Sequence, residues 1–297
     1  MNHRLPGESR FLGWLFIFPG LSIYLIFVLI PMVETFRLSF FEWNGFSLNQ
    51  TFVAFQNYAR LFQDSQFFKS ILHNSVFLIF YSLLPILLGL FLANILGRKI
   101  TNGLTGFRVI LFLPQVLSMV VVGITWRWIF NPAFGPLNVI LKSIGLDSLA
   151  GQWLGDFNLA LPSVGIIGTW VMYGFSMVLF LAGMQRIPLE YFEAAQLDGA
   201  GEFQQFIFIT LPSLIPEIGV ALITTIIAAL RVFDLVYVTT RGSPGDQTLV
   251  TSFLIYRAAF LQNQVGYAAA VASIMTMLIL IITFFITRIQ RSAQEVD

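Results

Sequence analysis

Residues 186 to 212 form a polar segment between two long apolar runs, with four acids, Glu190, Glu193, Asp198 and Glu202, against a single base, Arg186. Glu190 and Glu193 are three apart and share one face of a helix, while Ala194 and Ala195 keep the adjoining surface small enough to enter a narrow cleft. Carboxylates placed in this way offer an anionic face to a base on another molecule, as ion-pair partners or hydrogen-bond acceptors. An amphipathic helix lying on lipid is the rival reading, and it would carry Lys or Arg on its polar face, which this segment lacks. Chemistry is scarce elsewhere. There is no cysteine, and His3 and His73 are the only histidines, so thiolate, disulfide and paired-histidine metal chemistry are excluded. No residue is a candidate for catalysis. Glu217 stands near the start of an apolar run, close enough to the membrane edge to stay hydrated, and Arg231 and Asp234 are spaced to pair with each other.

Local signals predict how the polar segment is built. Pro188 suits a first helical turn, and Leu189 to Asp198 contains no helix breaker. Gly199 can take the left-handed conformation that ends a helix. A second helix then begins near Gly201, with Glu202 in its first turn and Phe203, Phe206, Ile207 and Thr210 on one face. The expected product is a helix, a glycine hinge and another helix.

The surrounding chain must be a membrane protein. It is 57% hydrophobic and only 10% charged, far from the roughly 25% charged residues of soluble domains. A net charge of +1 gives no basic patch to meet nucleic acid. Spanning runs are expected at about 11–33, 74–96, 108–130, 159–183, 213–230 and 266–286, each long enough to cross about 30 Å of hydrocarbon, in one transmembrane domain covering 1–297. The first run exceeds a signal-peptide core and leads to Glu34 and Arg37 without a cleavage-type site, so it is expected to be retained. Pro19 with Gly20, Pro85 and Pro114 mark kinks. Arg98, Lys99 and Arg108 cluster in a short loop that holds no acid.

The polar segment also carries a motif. Glu193, Ala194, Ala195, Gly199, Ile209, Leu211 and Pro212 spell EAA-x3-G-x9-I-x-LP, which resembles the coupling loop of bacterial ABC importer permeases. Three further segments resemble the carbohydrate branch of that family: FVAFQNYAR from Phe52, WRWIFNPAFGPLN from Trp126, and RVFDLVYVTTRGSPGDQT from Arg231, in which Arg241 and Ser243 depart from a glycine-rich pattern. Trp126, Arg127 and Trp128 fit an aromatic belt with a snorkelling Arg as well as they fit a solute role.

The resemblance implies an all-α polytopic fold of six transmembrane helices with a cytoplasmic EAA loop, the type I ABC importer permease fold. It implies ATPase-coupling roles for Glu190, Glu193, Ala194 and Ala195, and for Asp198, Gly199, Gly201 and Pro212. It places Trp170, Val171, Met172 and Phe175 on the stretch of the fourth helix that lines the solute path, and Thr225, Ala228, Ala229 and Val232 on the corresponding stretch of the fifth. The last four have the spacing of one helical face, a close helix contact explains the small residues equally well, and a Trp at Thr225 is expected to block a path there. The implied partners are a second, different permease, two copies of an ABC ATPase that hold the ATP and Mg, an extracytoplasmic solute-binding protein, and lipid. No cofactor is expected on this subunit, since it lacks the GxxxxGK[ST] phosphate loop.

The location implied is the bacterial cytoplasmic (inner) membrane, with both termini in the cytoplasm. Bases agree with that orientation, about eight inside in roughly 60 residues against about seven outside in roughly 100. The solute expected is a sugar, polyol or glycoside. An ABC importer permease for a non-carbohydrate solute and an ion-coupled secondary transporter are the alternatives, and the second is disfavoured by the near absence of ionisable residues within the runs.

Overall fold

A computed structural model describes residues 10–97 and 104–294, so the readings on His3, Arg98 and Lys99 lie outside the described residues. In chain order the elements are a span α1 (Trp14–Leu38), a hairpin of β1 (Phe41–Glu42) and β2 (Thr51–Phe52), the short α2 (Gln56–Leu61), and the span α3 (Ser65–Gly97). Helices α4 (Leu104–Val116), α5 (Met119–Ile129), α6 (Pro136–Ser143) and the span α7 (Ala160–Met184) follow. The polar segment holds α8 (Leu189–Leu197) and α9 (202–213), and the chain continues with α10 (Ile215–Leu230), α11 (Asp234–Thr239), α12 (Thr251–Leu261) and α13 (Val265–Gln294). Five helical stretches are long and apolar enough to cross a membrane, and the pair α4 and α5 makes a sixth if it counts as one span.

That pair departs from expectation. The apolar run 108–130 is not one kinked helix but two, bent by 97°. Pro114 lies inside α4, yet the break comes at Ser118, whose extended backbone (φ −60°, ψ 134°) stops one helix and caps the next.

The chain divides into two compact units, 1–63 with 255–274 and 64–254 with 275–297. In the first, α1 leads into the hairpin, where Phe41 pairs with Phe52 and their rings meet edge to face at 5.4 Å. Asn57 on α2 is buried and donates to the carbonyls of Ser39 (2.9 Å) and Phe41 (3.0 Å). The start of α13 closes on the same turn, since the amides of Val265 and Gly266 both donate to the Trp43 carbonyl. A side chain at Gly266 would collide with the Phe41 carbonyl.

The second unit is organised around α7, which is 67% buried over its most apolar window, whereas the corresponding window of α1 is 0% buried. Helix α7 packs along α3, where Ile86, Ala93 and Leu96 meet Met177, Phe180 and Leu181, joined by Leu214 and Ala221. Close approach depends on small residues. A Cβ added to Gly89 would stand 2.6 Å from that of Ser176, and in lipid such contacts carry much of helix association.

Asn74 is the polar hub of this unit. Its Nδ2 donates to the carbonyls of Ala229 (3.0 Å) and Leu230 (3.2 Å) at the end of α10, and its Oδ1 accepts from the Thr251 amide and hydroxyl, each at 2.9 Å. One buried amide thus caps the end of one helix and the start of another. Replacing it with Leu strands several buried polar groups at about 1–3 kcal/mol each. Asn74→Leu is expected to lower the thermal unfolding midpoint and the yield of folded permease, and an unchanged melting curve would count against this account.

Candidate functional site

The polar segment folds as the predicted helix, hinge and helix, with the first helix beginning one residue later than expected. Pro188 is extended (φ −59°, ψ 135°) and precedes α8 rather than opening it. Glu190, Glu193, Ala194 and Leu197 all point outward at i, i+3, i+4 and i+7, one helical face. Leu189, Phe192 and Gln196 line an open cavity of about 560 Å³ that they share with Arg108, Leu181, Met184 and Gln205, with Phe192 half-buried and Leu189 and Gln196 still exposed.

Gly199 ends α8 with φ +80°. The Ala200 amide donates back to the Ala195 carbonyl at 2.8 Å and the Gly199 amide to that of Gln196 at 3.0 Å, which is the paired closure of a Schellman turn. Nothing lies within 4 Å of where a Cβ would stand, so glycine is required by the backbone angle and not by crowding. Gly201 then caps α9, donating its amide to Gln204 Oε1 at 2.9 Å, and the buried Gln205 donates from Nε2 to the Ala200 carbonyl at 2.9 Å. The hinge is held on both sides. Asp198, just before the hinge, and Pro212, at the far end of α9, are both exposed.

Helix α9 differs from the expected pattern. Phe206 and Ile207 are half-buried and Thr210 is buried, but Phe203 is 76% exposed. A π turn over Phe206–Thr210 lengthens the repeat and shifts the face. Leu197, 90% exposed, is another apolar side chain left outward on this anionic segment, as are Leu189, Tyr191 and Phe208. Phe203 and Leu197 were missed as surface features in the sequence, although a Leu four residues after Glu193 in a polar segment was the available signal.

Arg186, at the root of the segment, is 82% exposed and reaches Glu217 Oε1 on α10 at 3.6 Å, while the Glu217 side chain is only 13% exposed. Glu217 is therefore paired and mostly covered, and not a freely hydrated acid at the membrane edge.

A second cavity, about 360 Å³, opens beside α10. Of the residues expected on a solute path, Met172, Ala228 and Val232 line it. Thr225 and Ala229 do not: Thr225 is buried and donates to Ser82 Oγ (2.8 Å) and the Ala221 carbonyl (2.7 Å), and Ala229 is buried with its carbonyl held by Asn74. The wall that α10 presents is Thr224, Ile227, Ala228 and Arg231, the same spacing rotated by one residue. Val171 is buried in packing and Phe175 is half-buried outside the lining. Trp170 meets Trp126 edge to face at 5.6 Å, in a cluster with Phe130.

Tyr81, Met119, Phe233, Asp234 and Leu235 complete the wall. Arg231 and Asp234 share it without forming an ion pair with each other. The wall is thus mostly apolar, with Thr224, Tyr81, one base and one acid among its residues. Arg127 is exposed and donates to the Val238 carbonyl at 3.3 Å. Among the described residues no group of three or more His, Cys, Asp or Glu side chains could hold a metal.

A multi-pass helical chain with a cavity beside one of its spans and an exposed helix–hinge–helix segment has the construction of a membrane permease. The chain belongs to the family of binding-protein-dependent transport system inner membrane components, whose family model matches residues 85–295. It is 36% identical over 292 residues to the probable ABC transporter permease YurN of Bacillus subtilis, covering 98% of this chain and 100% of the relative. It is 35% identical over 283 residues to the diacetylchitobiose uptake system permease NgcF of Streptomyces coelicolor, covering 91% of this chain and 80% of that one. The fold matches a chain of the bacterial alginate ABC transporter, solved in complex with an alginate pentasaccharide-bound periplasmic protein, at a TM-score of 0.81 and 25% identity, covering 95% of this chain and 94% of the other.

Proposed function

We propose that this chain is one of two different permeases in an ABC importer for a saccharide or sugar-like solute. Two cytoplasmic ATPase subunits, holding the ATP and Mg, drive it through α8 and α9, and an extracytoplasmic binding protein delivers the solute. The observation that carries the coupling role is the outward face of Glu190, Glu193, Ala194 and Leu197 on a helix whose direction is set by the left-handed Gly199. The uptake system of diacetylchitobiose and the alginate transporter with its pentasaccharide-bound periplasmic protein support the solute class and the binding protein.

In this reading the solute passes along Thr224, Ile227, Ala228 and Arg231 on α10, opposite Met172 on α7. Glu190, Glu193 and Asp198 meet bases on the ATPase, while Ala194, Ala195 and Gly201 allow close approach. Purification from the membrane should bring an ATPase with the permease, and vesicles holding the complex should import solute only when ATP is hydrolysed. Uptake that follows an ion gradient and ignores ATP would overturn the proposal in favour of a secondary transporter.

The same reading places both termini and the α8–α9 segment in the cytoplasm. Reporter fusions at Gly151 and Gly245 are expected to read outside and one at Gly201 inside. An outside reading at Gly201 would remove the segment from reach of any cytoplasmic ATPase.

A further inference from the structure

The first unit holds a cleft of about 330 Å³ walled by β1, α2 and the turn before α13. That volume falls within the range of about 300–1,000 Å³ typical of small-ligand clefts. Its wall is unlike the membrane cavity's. Glu42, Asn44, Gln56, Asn57, Arg60 and Asn263 line it together with the rings of Trp43 and Tyr267.

The frame of the cleft is fixed. Asn57 is buried and both its bonds to the Ser39 and Phe41 carbonyls use Nδ2, which leaves Oδ1 as an unspent acceptor. Arg60 donates from Nη2 to Gln264 Oε1 at 2.7 Å and lies 4.6 Å over the Tyr267 ring, so its guanidinium is held before any ligand arrives. Trp43 is steadied by the bond from its Nε1 to the Ser47 carbonyl at 2.7 Å. Asn44 spends Oδ1 on the amides of Phe46 and Ser47 and keeps Nδ2. Among the described residues the side chains of Glu42, Gln56 and Asn263 have no partner. Unspent donors and acceptors therefore surround a prearranged base and the partly exposed ring of Trp43, while the Tyr267 ring is buried beneath that base.

This chemistry selects a ligand class. One acid and one base in the same small cleft suit neither a strong anion nor a cation, and the acid alone is too few ligands for a metal. Amide, carboxylate and guanidinium groups serve donors and acceptors at once, as a chain of hydroxyls requires, and an aromatic ring offers the apolar face that a sugar ring can lie on. We propose that this cleft is a saccharide-binding site, separate from the membrane cavity, that holds a sugar unit where the polypeptide leaves α1 and enters α13. The inference rests on the saccharide reading above. By the proposed topology the cleft lies on the side from which solute arrives, where it would hold a sugar released there.

The test is saturation-transfer NMR on the assembled importer in nanodiscs without its binding protein, using maltose and diacetylchitobiose as probes and proline as the non-sugar control. Ring protons of at least one saccharide should be saturated while proline is not. Gln56→Ala and Glu42→Gln remove exposed, unpartnered groups and leave the fold alone, and each should weaken binding roughly three- to tenfold, the value of one hydrogen bond. Ala228→Trp, which fills the membrane cavity, should leave the signal in place. No saccharide signal, equal saturation of proline, or a Gln56→Ala/Glu42→Gln double variant that binds as the wild type would overturn the site. If such a double variant fails to matter in an importer that does take up saccharide, only the cleft is lost. An importer that carries no saccharide removes the reading beneath it as well.

Discussion

Glu193→Ala and Gly199→Val are each expected to leave the importer assembled in the membrane while ATP-driven uptake falls about tenfold or more. For Glu193 the reason is the interface: a charge pair desolvated on docking costs about 2–5 kcal/mol when one partner is truncated, and most of that appears as lost ATPase affinity. For Gly199 the reason lies in the backbone. At φ +80° a β-branched residue is strained by about 1–3 kcal/mol, and relieving the strain swings α8 away from the direction in which Gln205 and the Schellman closure hold it. Gly199→Asn separates this from a general sensitivity of the turn, because Asn tolerates the left-handed region and should keep most of the uptake. The measurements are uptake and ATP hydrolysis per assembled complex. Normal rates in both the Ala and the Val variants would sink the coupling role.

Ala228→Trp should abolish uptake with the complex intact and its ATPase still responsive to the binding protein. Ala228 is half-buried on the cavity wall, and an indole there occupies much of the roughly 360 Å³ available. Thr225→Trp has a different expected result, although only three residues separate the two. Thr225 faces Ser82 inside the α3–α10 packing with no measurable exposure, so overpacking by a large ring should reduce the amount of folded permease instead of its rate per molecule. Full uptake by Ala228→Trp, or normal folding with blocked transport by Thr225→Trp, would move the path back to the face first expected from the sequence.

The difference between those two faces shows where the sequence is informative. Spanning runs can be read because about twenty consecutive apolar residues leave few alternatives. The α8–α9 segment can be read because helix ends have local chemistry: Pro188, Gly199 and Gly201 act through their own dihedral angles. The rotation of α10 is another matter. Ile, Leu, Ala and Thr surround it, so no polar stripe announces which side faces the cavity; the phase is set by partners about 140 to 155 residues away, Ser82 holding Thr225 and Asn74 holding the carbonyls of Ala229 and Leu230. The bend at Ser118 was hidden for a similar reason. Pro114 announces a weak point four residues early, but serine is as ordinary inside a membrane helix as at its start. The unit-1 cleft escaped notice because its polar residues come from three separated stretches, each of which reads alone as an interfacial loop.

Helix α1 sets a different limit on what this chain can tolerate. Along its most apolar window no side chain is enclosed by the rest of the polypeptide, so none there has to match a neighbour's shape within the subunit. As far as packing inside this subunit goes, Leu, Ile, Phe and Val should be nearly interchangeable in it, and any demand on shape would have to come from a partner subunit. At Gly89 the reverse holds, since a single methyl group meets Ser176. One protein therefore contains a stretch that keeps only its character and another that must keep its letters.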